Sequence, residues 1–181
     1  LITATAELIL PGDTLDVLAY ACTSASIVLG TPTVAKNLNA AKPEAKTTNP
    51  ASAAFHAFHA LGAKRIAVLT PYAKCVNDMV QKSIEGAGFD VPIFGSFNEP
   101  HDPTVAAISS ESLKTGIAHI TEGQDVDAVF ISCTSVRIAA DVAEMEIELG
   151  LPVTSSNHAL AWHCVPKTID ADVPVSYTHL R

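Results

Sequence analysis

The sequence is poor in positive charge and in aromatic side chains. Lys and Arg number 11 against 19 Asp and Glu, leaving a formal charge of −8, and aromatic residues make up 6%. With no basic run to receive phosphates, nucleic acid and anionic membrane surfaces are excluded as partners. No apolar stretch approaches the roughly 20 residues that a membrane-spanning helix needs, and no secretory leader pattern opens the sequence. The four cysteines, Cys22, Cys75, Cys133 and Cys164, include no C-x-x-C pair and no zinc-type grouping with histidine. His56 and His59 share a helix face without further ligands, and His158 and His163 read as helix-surface residues. Glycine-rich nucleotide loops of the GxGxxG or GxxxxGK kind are missing. Cys133 and Arg137 are too close together for a loop that rings a phosphate. The expectation is a cytoplasmic protein with reduced thiols and neither metal nor cofactor, with homo-oligomerisation left open.

What is present is a core-forming composition. Of 181 residues, 48% are hydrophobic and 17% charged, which suits one folded domain. "LITATAELIL" at the start reads as a strand and as the continuation of a longer chain. Strand-like runs at 14–21, 44–48, 65–70, 91–97, 127–132 and 151–156 alternate with helical patterns at 23–41, 49–62, 74–87, 103–121, 136–150 and from 157 onward. Asn49 followed by Pro50 is a strong helix start. Such alternation with short links predicts an α/β fold, flavodoxin-like and doubly wound on parallel sheets. Residues 174–181, "PVSYTHLR", fit no pattern and read as a non-native tail, so the domain is expected over 1–173.

The tripeptide Cys-Thr-Ser occurs twice, at 22–24 and 133–135, each time after an apolar run. Cys133 follows Cys22 by 111 residues, and the same shift brings Asp16 onto Asp127 and Ile27 onto Ile138. "TTNPA" (47–51) parallels "SSNHA" (155–159), which matches Asn49 with Asn157. The chain is therefore expected to hold two related halves, about 10–62 with 150–165, and 63–149. In parallel sheets ligands bind at the carboxyl ends of strands. A cysteine there, placed before a helix, favours thiolate, and adjacent N–H groups and hydroxyls suit a carboxylate oxygen. Cys22 and Cys133 are the candidate catalytic pair. Thr23, Ser24, Thr134, Ser135, Asn49 and Asn157 are the candidate substrate contacts. Cys75 and Cys164 read as packing residues.

The stretches "ACTSAS" (21–26), "ALGAKRIAVLTPY" (60–72), "FISCTSVR" (130–137) and "LGLPVTSSNHALAWH" (149–163) resemble the aspartate/glutamate racemase superfamily. Within it they are similar to the branch of maleate cis-trans isomerases, arylmalonate decarboxylases and ectoine-utilisation proteins, over roughly residues 10–165. The resemblance implies a cofactor-free enzyme of two pseudo-symmetric α/β halves that acts on a small carboxylate. Cys22 matches the first family cysteine, which adds to the substrate double bond in the isomerases. Cys133 matches the second, which handles the proton. The decarboxylases keep only the second, so the presence of both argues against a plain decarboxylase. Tyr72 matches a family tyrosine that hydrogen-bonds a substrate carboxylate, and Asn98 is a weaker candidate contact. Asn77, on the following helix, is read as solvent-facing. Nothing in 1–13 matches the asparagine-bearing N-terminal motif of the family, so the N-terminal strand region is expected to be truncated. Maleate-type isomerisation, racemisation of an amino-acid derivative, an accessory racemase or epimerase role in ectoine or hydroxyectoine breakdown, and a non-catalytic carboxylate-binding domain stay open.

Overall fold

The computed structural model describes residues 1–169; the tail at 174–181 lies outside them. The elements run α1 (Ile2–Glu7), β1 (Val17–Ala19), α2 (Thr23–Leu29), α3 (Thr31–Ala41), β2 (Lys46–Thr48), α4 (Pro50–Ala60), β3 (Arg65–Thr70), α5 (Lys74–Gly86), β4 (Asp90–Ser96), α6 (Asp102–Val105), α7 (Ser110–Thr121), β5 (Ala128–Ile131), α8 (Val142–Leu149), β6 (Val153–Ser155) and α9 (Ser156–Ile169). They build an α/β fold on two parallel sheets, one of two strands in the order β1-β2 and one of four in the order β4-β3-β5-β6. Among the described residues no helix is long and apolar enough to cross a membrane.

The larger sheet is covered on both faces because its central strands carry unbroken apolar runs, residues 66–69 of β3 and 128–131 of β5. Ile66, Val68, Ala128 and Phe130 point into a core shared with α4, α5 and α9. Ala67, Leu69, Val129 and Ile131 point the other way, onto α7 and α8. Strand side chains alternate between faces, so unbroken apolar runs are what two covered faces require. Phe58 of α4 is fully buried and meets Phe89 and Phe130 edge-on at 5.1 and 5.4 Å. Each such pair adds about 0.5–1.5 kcal/mol beyond area burial. The smaller sheet has its own core of Leu18, Val34, Leu38, Ala45 and Ala6. At the start of the larger sheet, the Asp127 carboxylate accepts from the N–H groups of Lys64 and Arg65 at 2.8 and 2.7 Å. Those two bonds hold its pKa below the usual carboxylate range.

Four expectations change. Residues 2–7 are helix rather than strand. Ile2 and Ala6, a helical turn apart, face the small core, and Thr3 Oγ1 donates to Asn37 on α3. The helix expected after Cys22 breaks at Gly30, whose φ of 82° needs glycine, and restarts with Pro32 in its first turn. The segment at 103–121 is two helices, the second capped by Ser109 Oγ, which accepts from Ser112 N–H. The helix expected from 136 begins only at Val142. Val136 and Ile138 are buried in the core shared with α7 and α8 while Arg137 and Ala139 are exposed, and the segment ends in a turn closed by Asp141 N–H on the Ile138 carbonyl at 2.9 Å.

The expected division into halves also shifts. β6 pairs with β5, so 153–155 belongs to the larger sheet and not with the first half. α9 then reaches back toward the smaller sheet: His56 of α4 stacks on His163 at 4.5 Å, and His163 Nδ1 shares a hydrogen bond with Thr48 Oγ1 at 2.8 Å.

Gly95 on β4 marks the tightest approach of helix to sheet. A Cβ there would sit 2.8 Å from Ile120 Cγ2 and 3.1 Å from Leu69 Cδ1. The first is a methyl on a branched carbon and has little room to yield. Gly95→Ala is expected to destabilise the fold by about 1–3 kcal/mol, read as a lower urea midpoint; an unchanged midpoint would show that α7 is not seated on β4 as described.

Candidate active site

Three adjacent strands of the larger sheet end at one place. β3 leads to Tyr72, β5 to Cys133 and β6 to Ser156. From the smaller sheet, β1 leads to Cys22, which caps the start of α2. Cys22 is half-buried, with its Sγ 3.8 Å from Ser24 Oγ, and its carbonyl accepts from Ser26 Oγ at 2.6 Å. Cys133 is buried and has a φ of 124°, a conformation that non-glycine residues rarely adopt. Its N–H donates to Ser156 Oγ at 3.0 Å, and its Sγ accepts from Ser135 N–H at 3.4 Å. Because 134–141 is not helical, the second cysteine does not stand before a helix N-terminus as the first does.

The hydroxyls of the two tripeptides are mostly engaged by the protein itself. Thr23 Oγ1, fully buried, donates to Ser156 Oγ at 2.8 Å. Thr134 Oγ1 donates to the Ala21 carbonyl at 3.2 Å, crossing between the two sheets' loops. Ser135 Oγ donates to Asp102 at 2.6 Å. Asn157 Nδ2 donates to the carbonyls of Thr134 and Val136 at 2.9 and 3.4 Å, which pins the loop behind Cys133. These contacts bring Cys22, Thr23, Ser24, Cys133, Thr134, Ser135 and Asn157 together. Asn49 instead caps α4, accepting from Ser52 N–H at 3.0 Å. Asn98 is exposed, with its N–H on Ser96 Oγ. Neither is joined to a thiol by a hydrogen bond among the described residues.

The pairing of Asn49 with Asn157 also shifts. Ala19 opposes Thr48 in the small sheet, and Phe130, its counterpart by the cysteine shift, opposes Thr154. Asn49 therefore corresponds to Ser155, whose Oγ accepts from His158 N–H at 3.1 Å in the same capping role. The sequence match was drawn to the shared asparagine, whereas the shared physical role is the cap. Ser156 falls at the position of Pro50, and sequence reading passed over it; the paired hydroxyls ahead of Asn157 were the available signal.

Tyr72 connects the two cysteines electrostatically. Burial, and then the Cys133 thiol beside it, push the phenol's pKa well above the usual tyrosine value. Ser132, whose buried Oγ makes no hydrogen bond of good geometry, opposes this slightly, and Cys22 adds a smaller push upward. The Tyr72 backbone is fixed from several sides. Its carbonyl accepts from Asn77 Nδ2 at 2.8 Å and Ser96 Oγ at 2.6 Å, and its N–H donates to Thr70 Oγ1 at 3.2 Å. Asn77 is thus a brace for Tyr72, not a solvent-facing residue. No group of three or more His, Cys, Asp or Glu among the described residues could hold a metal ion.

A phenol kept neutral by burial is a hydrogen-bond donor at any ordinary pH. The folded chain holds this proton where the unfolded chain, with an ordinary tyrosine pKa of about 10, releases it. The folded state then binds more protons than the unfolded, so stability falls as pH rises above that value. The urea midpoint is expected to drop between pH 8 and pH 10.5 by more in the wild type than in Tyr72→Phe. Equal drops would mean that Tyr72 ionises as freely in the folded chain as in the unfolded one.

Comparison with known proteins fits this geometry. A family model described as arylmalonate decarboxylase matches residues 9–180. A maleate isomerase of Pseudomonas putida is 31% identical over 149 residues, 78% of this chain and 59% of its own length. A maleate isomerase of Nocardia farcinica is 28% identical over 169 residues, 88% of this chain and 66% of its own. The chain thus spans about three-fifths to two-thirds of the curated relatives it matches. Among solved structures, a cysteine-to-alanine mutant of a Pseudomonas putida maleate isomerase with maleate superposes with a TM-score of 0.79 at 26% identity, covering 92% of this chain and 68% of that one. With a family model spanning nearly all of its length, the chain belongs to the arylmalonate decarboxylase family, within the aspartate/glutamate racemase superfamily.

Proposed function

We propose that this protein catalyses cofactor-independent cis-trans isomerisation of a small dicarboxylate of the maleate type, with its two halves presenting Cys22 and Cys133 to one substrate. The observation that carries this reading is the Ser156 hydroxyl, which accepts from Cys133 N–H at 3.0 Å and from Thr23 Oγ1, the residue after Cys22, at 2.8 Å. The loops that carry the two cysteines are thereby joined through one buried side chain, and Thr134 Oγ1 joins them again at the Ala21 carbonyl. The maleate isomerases among its relatives, and the solved relative holding maleate, supply the substrate class.

In the proposed mechanism the Cys22 thiolate adds to one alkene carbon and forms a C–S bond. The displaced π pair moves to the neighbouring carbon, which takes the Cys133 proton. Rotation about the new single bond brings the carboxylates trans. The Cys133 thiolate then removes the proton, the C–H pair re-forms the double bond, and the C–S bond breaks to restore the Cys22 thiolate. Tyr72 donates to a substrate carboxylate as charge builds beside it, a task for a donor already fixed in place. Ser24, whose hydroxyl lies beside the Cys22 sulfur, serves as a second carboxylate contact.

Cys22→Ser and Cys133→Ser are each expected to lower conversion of maleate to fumarate by at least about 100-fold, followed by proton NMR, with circular dichroism unchanged. Full turnover in either variant would end the two-thiol mechanism. Solvent deuterium entering the α-carbon of a chiral amino-acid derivative, with maleate untouched, would select racemisation in its place.

A further inference from the structure

Ser156 stands between the two cysteines and belongs to neither tripeptide. Its side chain is fully buried at the first residue of α9. Its Oγ accepts from Cys133 N–H at 3.0 Å and from Thr23 Oγ1 at 2.8 Å. A hydroxyl oxygen offers two acceptor sites, and here one serves each sheet's loop. Thr23 is the residue after Cys22, so the two bonds end on the backbone of one cysteine and beside the other.

The two cysteines differ in what holds them. Cys22 has a φ of −139°, ordinary extended backbone, and its half of the chain carries Pro50, without a hydroxyl, where the other half has Ser156. Cys133 has a φ of 124°, which persists only where the surroundings over-determine it. That angle sets where Cβ and Sγ point. Relaxing it would swing the sulfur away from Ser135 N–H, now 3.4 Å distant, and would leave a buried N–H unpaired. The Thr134 bond to Ala21 also joins the halves, but it does not touch the Cys133 backbone.

Resting on the two-thiol reading above, we propose that Ser156 is a positioning residue for both cysteines. It braces the strained Cys133 backbone so that its thiol keeps one aim, and through Thr23 it sets where Cys22 stands relative to that thiol. The braced cysteine is suited to shuttle a proton along one line. Cys22, on ordinary extended backbone and half-buried, is suited to attack.

The test measures each thiol separately, with no need for turnover. Wild type, Ser156→Ala, Ser156→Thr and Thr23→Val are alkylated with iodoacetamide across pH 6–10, and each cysteine is followed by peptide mass spectrometry. Exposed Cys75 serves as the internal control. Ser156→Ala is expected to change the Cys133 rate by about fivefold or more and to move its pH midpoint, since misaligned donors alter thiolate formation, with Cys75 unmoved. Ser156→Thr, which keeps the hydroxyl, restores the wild-type Cys133 profile. Thr23→Val, which keeps the Cys133 bond, alters Cys22 alone. With maleate, Ser156→Ala is expected to lose about 10-fold or more in kcat with KM little changed. A folded Ser156→Ala with a wild-type Cys133 profile overturns the proposal. Should Ser156→Ala fail to fold, an unchanged Cys22 profile in Thr23→Val overturns it instead. If the wild type turns over no maleate, the isomerase reading falls, and the alkylation profiles still decide the role of Ser156.

Discussion

The parallel ladder β3-β5-β6 fixes everything that follows from it in the site. β5 has hydrogen-bonded neighbours on both edges and apolar cores on both faces. A slip of one residue would turn Phe130 out of the α4 core and Ile131 out of the α7 core, reversing every side chain on the strand. Register is therefore rigid, and with it the point at which each strand runs out. Tyr72, Cys133 and Ser156 lie one or two residues beyond the ends of these three neighbouring strands. Their proximity is a consequence of ladder spacing, which sets adjacent strands about 4.8 Å apart, and not of any attraction among the three side chains.

The second layer of organisation is polar. Once the strands end, the chain must turn, and the freed backbone groups need partners. Asn157 takes two carbonyls of the loop after Cys133, Ser156 takes its N–H, and Asn77 and Ser96 take the carbonyl of Tyr72. Most hydroxyls near the thiols are thus spent on holding the loops, which is why the carboxylate contacts of the proposed function fall to Tyr72 and Ser24. Rigid loops suit a mechanism in which only the substrate has to rotate. The two halves are alike in order, strand then Cys-Thr-Ser, yet unlike in execution. The first cysteine leads into a helix, and the second into a non-helical loop that runs to Val142.

Much of this was open to reading in the chain. The strand-like runs at 65–70 and 127–132 are strands in the structure, and their apolar centres are what burial on both faces requires. Asn49 before Pro50 declared a helix start. The repeated Cys-Thr-Ser follows the ends of two strands, β1 and β5. Reading went astray where pattern was ambiguous at short range. "LITATAELIL" lacks turn signals and suits helix or strand until α3 offers it a partner. Val136 and Ile138 fall within a helical-looking window, but their places in the core shared with α7 and α8 are decided by tertiary packing. Asn49 and Asn157 matched as letters, while the strand register pairs Asn49 with Ser155.

The sequence by itself determined the α/β class and the approximate places of the six strands, since these rest on local periodicity and on short-range turn chemistry. Only the tertiary structure decided which groups meet. Ser156 lies 23 residues from Cys133 and 133 from Thr23, and Tyr72 belongs to a third segment. No local pattern encodes such distances. They are set by the order in which strands pair and by the requirement that each buried donor find an acceptor, a condition that applies only after the sheets and their helices have closed.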